Sequence, residues 1–285
     1  MKSNNNIMRN IERLGERYCR RYLDPWDKER LQNNWWEALK FFFAHSFMRG
    51  RRDKLSNEYY CFTVRTLEAH FSIPSGDLDH SYKRLKEQKE HFGKGCILEF
   101  KRSKGIGNSI KHQDFREKVA KANSIVMFLI TKKMVNGIES NGQTYDKEIF
   151  LGNDEDIMMV LDVLKFVSDN RKKNIYNYLR NVIADSGAES ACRELARLRA
   201  IGDKISALVV RDIGLLNPEV IKKGGKDYEW AFPIDTWVRQ VAKELKLDSK
   251  SDRKIRNCFI EKCKRLNIEP LKFAAGLRYL LFPSL

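Results

Sequence analysis

No stretch of this 285-residue sequence stays apolar for the roughly 18 residues that a membrane-spanning helix needs, and the runs at Ile125–Ile130 and around Leu277–Phe282 fall well short. The N-terminal MKSNNNIMRNIERLGERYCRRY also lacks the apolar centre of a secretory signal and reads as the start of a basic helix, so a cytoplasmic protein is expected, nucleoid-associated if prokaryotic. Cysteine is sparse: the six residues at 19, 61, 96, 192, 258 and 263 lack the density of a disulfide framework and read as reduced thiols. Cys258 and Cys263 are close in sequence, but a zinc or iron–sulfur site wants about four ligands at tight spacing. All five histidines lie at or before His112, far from that pair. No metal and no cofactor are therefore expected. Strand-like alternation is scarce, and no internal repeat is evident.

What the chain has in excess is positive charge. Fifty-four Lys and Arg against 38 Asp and Glu give a net charge of +16, and a field of that size favours a polyanion. Nucleic acid leads among the partners so implied, with an anionic membrane surface or mere solubility as the other readings. A hydrophobic share of 42% suffices for one or two packed cores.

Apolar residues recur at spacings of three and four in almost every long segment, which predicts an all-α protein of helix packed on helix. Helices are expected over Asp27–His45, with an aromatic face of Trp35, Trp36, Phe41, Phe42 and Phe43, and over Tyr59–Phe71, ended by Pro74-Ser75-Gly76. From Tyr82 to Lys121 the sequence is strongly basic and contains the loop SKGIGNS. It reads as an exposed insertion, closed by the turn-rich NGIESNGQTYD near Asp146. Further helices are expected over Asp154–Phe166, Arg171–Ile183, Ser190–Arg199, Asp235–Leu245 and Pro270–Leu281.

The segment LARLRAIGDKISALVV, Leu195 to Val210, joins two apolar-striped helices through a short turn centred on Gly202. Turn amides and the open N-terminus of a second helix form an anion site suited to a phosphate, which points to Ile201 and Gly202 as DNA contacts. Lys204 falls in the first turn of that second helix, where the positive end of the dipole disfavours its charge; an amine held uncharged is what imine chemistry needs. Asp235 follows Phe232-Pro233-Ile234 and precedes an amphipathic helix, so it is placed as an N-cap, with Arg239 one turn on. Taken singly, Lys204 reads as a solvated lysine and Asp235 as a cap.

In order, however, LRAIGDKISALVV resembles the hairpin of the helix-hairpin-helix DNA glycosylase superfamily, the group of endonuclease III and the oxoguanine glycosylases. FPIDTWVRQVAKEL resembles the Asp-bearing turn that follows it there. NRKKNIYNYL is similar to the helix leading into the hairpin, and WWEALKFFFAHSF to the first long barrel helix. The connection RDIGLLNPEVIKKGGKDYEW is longer than in endonuclease III and is similar to the archaeal type of oxoguanine glycosylase, as is the ending IEPLKFAAGLRYLL. Ala200 stands where many such hairpins carry Gly, and the basic insertion has no counterpart in the family pattern.

The resemblance implies a two-lobed all-α glycosylase acting as a monomer on double-stranded DNA. Residues 1–30 would pack with the C-terminal lobe, 31–75 and 150–203 would form a helical barrel lobe, 76–149 the basic insertion, and 204–285 the lobe carrying Asp235. It implies that Lys204 attacks the anomeric carbon of a flipped nucleotide while Asp235 assists it and stabilises positive charge growing on the sugar. The resulting imine would allow β-elimination, hence abasic-site lyase activity. Arg49 and Arg239 are expected on DNA, and Phe47 and Met48 as base pocket or wedge. The target expected is oxidised guanine, or a bulky modified base of foreign (phage) DNA, which would make the enzyme one of repair or of antiviral defence. A non-enzymatic helix-hairpin-helix DNA-binding module is the competing reading, and a metal-dependent nuclease a third.

Overall fold

In the computed structural model, which describes residues 2–48, 53–73, 77–92, 133–140, 143–149, 154–222, 225–247 and 251–280, the chain is helical apart from one antiparallel hairpin. The helices are α1 (Lys2–Tyr18), α2 (Lys28–Asn33), α3 (Trp35–Ser46), α4 (Asp53–Phe71), α5 (Leu78–Glu87), α6 (Asp154–Val167), α7 (Ile175–Ser186), α8 (Ala188–Ala196), α9 (Asp203–Leu216), the short α10 (Asp227–Trp230), α11 (Thr236–Glu244), α12 (Asp252–Leu266) and α13 (Pro270–Tyr279). Strands β1 (Lys133–Ser140) and β2 (Gln143–Ile149) pair with Ser140 opposite Gln143. The stretch expected only to be turn-rich is strand at each of its described residues, 136–140 and 143–146. Among the described residues no helix is long and apolar enough to cross a membrane.

The helix expected over Asp27–His45 is broken in two. Asn34 is extended, at φ −120° and ψ 110°, and its side-chain oxygen accepts from the amides of Trp36 and Glu37. An asparagine that can satisfy two orphan amides starts a helix better than it continues one. Asn174 does the same for α7 through the Asn177 amide, so that helix starts at Ile175 and not at Arg171.

The chain divides into two units. The first comprises residues 1–46, 174–197 and 201–285. Its centre is α9, buried on every side from Ile205 to Gly214 and packed against α3, α7, α8 and α13. The chain ends meet in this unit, where α1 lies along α13. Gly15 and Gly276 make that approach possible. A Cβ on Gly276 would stand 1.8 Å from the Ile11 carbonyl oxygen, and one on Gly15 1.9 Å from that of Lys272.

At the heart of the unit four buried polar side chains from α1, α3 and α9 close on one another. Asp212 accepts from Tyr18 Oη (2.6 Å) and His45 Nε2 (2.8 Å) at one oxygen and from Arg211 Nε (2.7 Å) at the other. Arg211 also donates to Tyr18 Oη at 2.8 Å. His45 Nδ1 faces the Phe41 carbonyl at 2.7 Å, so both ring nitrogens have a buried oxygen within hydrogen-bond distance.

The second unit comprises residues 47–173 and 198–200. Phe62, Leu67 and Phe71 of α4, Leu85 of α5 and the run Ile157–Leu161 of α6 are buried in it. The basic stretch expected to be an exposed insertion from Tyr82 onward begins instead as part of the packed helix α5. Tyr82 and Leu85 are buried, and Tyr82 Oη donates to the Val167 carbonyl at 3.0 Å. Leu78, Tyr82 and Leu85 recur at helical spacing, which puts the basic residues between them on the outer side. The rest of that stretch, including SKGIGNS, lies outside the described residues.

The helices expected to make one barrel lobe are therefore divided, with α3, α7 and α8 in the first unit and α4 and α6 in the second. The physical reason is the aromatic face of α3. Phe41 packs edge-on against Tyr176 of α7 at 5.5 Å, which holds α3 to the helices around α9.

Candidate active site

Helix α8 starts after Gly187, whose φ of +85° lies in the region that favours glycine. Just below it the carboxylate of Asp227, nearly buried, accepts from the Ala188 amide through Oδ1 and the Lys222 amide through Oδ2, both at 2.9 Å. One side chain thereby fixes the start of the hairpin's first helix and the connection leaving its second.

The turn between α8 and α9 runs through Ala200 at φ +60°, a left-handed conformation that costs a residue with a Cβ about 1 kcal/mol or more. The Arg199 amide is held at 2.8 Å by Asp162 of α6.

Gly202 is the N-cap of α9, in an extended conformation and with no side-chain cap. A Cβ there would meet nothing within 4 Å, so the first turn of α9 opens onto free space. The expected pair of turn contacts is not equivalent: Gly202 is exposed, while Ile201 is 3% exposed and belongs to the core, leaving its backbone alone to meet a phosphate. Asp203 and Lys204 occupy the first turn, and the Lys204 side chain is half-buried.

Asp235 caps α11. Its Oδ1 accepts from the amides of Trp237 (3.0 Å) and Val238 (2.9 Å), and its backbone is extended, as the preceding Phe232-Pro233-Ile234 favours. The segment that delivers it is anchored in the core: Phe232 stacks on Phe259 of α12 with ring centroids 5.9 Å apart, and its carbonyl accepts from Arg256 Nε at 3.0 Å.

Arg239 does not pair with Asp235. Its guanidinium makes a two-point contact with Asp252 at 2.8 and 2.7 Å, pinning α11 to the first turn of α12 and holding the Asp252 carboxyl below its ordinary range. A DNA contact from Arg239 would have to share or give up that pair. Among the expected pocket residues, Phe47 has no exposed surface, which rules it out as a protruding wedge in this conformation. Met48 is half-buried, and Arg49 lies outside the described residues.

Sequence reasoning missed Arg256 and Trp237. Arg256 sits half-buried where several elements converge. Burial lowers its pKa, while Cys192, Asp252, Glu229 and Asp203 act to raise it. Its Nε donates to the Phe232 carbonyl, which ties it to the segment carrying Asp235. Trp237 is 43% exposed immediately after the capping turn, unusual for so large an apolar side chain. Its exposure had a legible signal, since Val238, Val241, Ala242 and Leu245 claim the buried side of α11 and leave position 237 outside.

Among the described residues, no three His, Cys, Asp or Glu side chains gather as metal ligands. Cys258 is exposed and Cys263 buried, so the two thiols close in sequence face different surroundings. Compared with known proteins, the chain matches no protein-family model, no curated protein and no solved structure.

Proposed function

We propose that the chain is a DNA glycosylase that excises a damaged or modified base through Lys204, with Asp235 as the assisting carboxylate and abasic-site lyase activity as a consequence. The observation that carries this reading is the placement of Lys204 in the first turn of α9, behind an open N-cap at Gly202 and a left-handed turn at Ala200. A helix N-terminus of this kind can present its first amides to a phosphate, with the Lys204 amine in the same turn. Asp235 is a carboxylate of the same unit, on a segment anchored through Phe232 to Arg256.

In the reaction proposed, the Lys204 amine attacks the anomeric carbon, the base leaves with the electron pair of the glycosidic bond, and Asp235 stabilises the cationic sugar. The C1′–O4′ bond of the amine-bound sugar then breaks, O4′ taking up a proton and the amine nitrogen losing one, to give the imine; loss of a C2′ proton expels the 3′ phosphate by β-elimination. The net charge of +16 supports the duplex as substrate, since phosphate contacts must offset a few kcal/mol for extruding the nucleotide. The substrate base proposed is oxidised guanine or a bulky modified base of foreign DNA.

Borohydride trapping on duplexes that each carry one altered base tests this. Wild-type protein should form a covalent adduct with at least one of them, Lys204→Gln should form none, and Asp235→Asn should form it far more slowly. Adduct formation by Lys204→Gln at the wild-type rate would overturn the assignment. A second reading is favoured by the Asp235 geometry: its Oδ1 serves two amides, all that a cap requires, so a non-enzymatic binding module would look the same locally. Duplex binding without any trapped adduct across the substrate panel would select it.

A further inference from the structure

The N-terminal helix carries a feature that the hairpin chemistry does not use. Arg9, Arg13, Arg17 and Arg20, three or four residues apart, share one exposed side of α1 and the helical turn of Cys19–Leu23 that continues it. Among the described residues none of the four pairs with a carboxylate. Two acidic residues are exposed nearby: Glu16 on the same side and Asp24 at its end. Arg21 is exposed beside them, so positive charge prevails along the ridge.

The apolar side of the same helix is already occupied. Met8, Ile11 and Tyr18 are buried, and the Gly15–Gly276 approach brings α1 against α13 backbone to backbone. Such a helix cannot lay an apolar face into a lipid headgroup layer, which is how basic amphipathic helices hold membranes. Apart from Ile7, the exposed surface of the helix is polar and charged, and guanidinium groups suit the planar, two-point recognition of phosphate oxygens.

We propose that this arginine ridge is a second duplex-binding surface, one that tracks the phosphate backbone without reading sequence. At 1.5 Å per residue the ridge is about 16 Å long, the length of roughly five base pairs. It acts on undamaged DNA as well as on any substrate, and its failure would leave the Lys204 chemistry standing.

The test is the salt dependence of binding to an undamaged duplex, measured by fluorescence anisotropy on the full chain. Replacing all four arginines by glutamine should flatten the slope of log K against log salt by about three to four, since each phosphate neutralised contributes about 0.9. Arg13→Gln alone should flatten it by about one, and replacement of all four by lysine should restore most of it. The substituted side chains are exposed, so the thermal unfolding curve should stay at the wild-type position. A four-fold glutamine variant with the wild-type slope would overturn the proposal, as would loss of binding to phosphatidylserine vesicles with duplex binding intact. Borohydride trapping by the same variant at saturating protein should match wild type, which separates the ridge from the chemistry.

Discussion

Arg211 and Asp212 are consecutive residues of α9, and the guanidinium Nε donates to the carboxylate at 2.7 Å with neither side chain exposed. Burial alone would raise the Asp212 carboxyl, but Arg211, then His45, outweigh it and hold the group well below the usual carboxylate range. A folded-state value depressed below the unfolded one adds stability that is present above about pH 4 and lost as pH falls through the folded value. Asp212→Asn leaves Arg211 and His45 buried around a neutral group and should cost about 3–5 kcal/mol. Thermal unfolding at pH 7 and below about pH 4 should show wild type losing stability on acidification and the variant losing less. A variant within about 1 kcal/mol of wild type at pH 7 would show that the cluster does not hold α1, α3 and α9 together.

The cluster also marks what the sequence conceals. Tyr18, His45, Arg211 and Asp212 come from three separated segments, and no local spacing announces their meeting. The one hint is a charged Arg-Asp pair in the middle of ISALVVRDIGLL, where a helix apolar on every side leaves no solvent for it. The hairpin, the Asp235 cap and the helical architecture were legible because each rests on neighbours in the chain. The break at Asn34 was legible in principle, since asparagine competes with the helix for its amides, but the surrounding aromatic periodicity masked it. The division between Ser46 and Phe47 depends on which helix the aromatic side of α3 meets, a tertiary fact.

Ala200 carries a left-handed backbone that glycine adopts without strain. Ala200→Gly should stabilise the protein by up to about 1 kcal/mol, the relief of the φ > 0 penalty outweighing the extra freedom of the unfolded chain. A higher Tm for the variant checks this. A lower Tm would mean that the turn is not left-handed in solution.

Gly276 and Gly202 predict losses of very different size for the same substitution. At position 276 a methyl group would run into the Ile11 carbonyl, so Gly276→Ala must push α1 off α13 and should cost about 3 kcal/mol or more. At position 202 the methyl group meets open space, so Gly202→Ala should cost under about 1 kcal/mol, the difference between glycine and alanine as a cap. Equal losses, read from denaturant midpoints, would contradict the close crossing of the two chain ends.

Asp235 offers the means of separating structure from chemistry at the candidate site. Its Oδ1 holds the first amides of α11, a task that asparagine performs about as well as aspartate and alanine does not. Asp235→Ala should therefore lose about 1 kcal/mol of stability, while Asp235→Asn should stay within about 0.5 kcal/mol of wild type. If the carboxylate also assists Lys204, the order changes for activity: Asp235→Asn keeps the cap but lacks the charge, and base excision should fall by about two orders of magnitude or more with Tm unchanged. Single-turnover excision and thermal unfolding measured side by side decide the matter. An Asp235→Asn variant that excises at the wild-type rate would reduce the residue to its cap and leave Lys204 without a carboxylate partner among the residues assigned to the site.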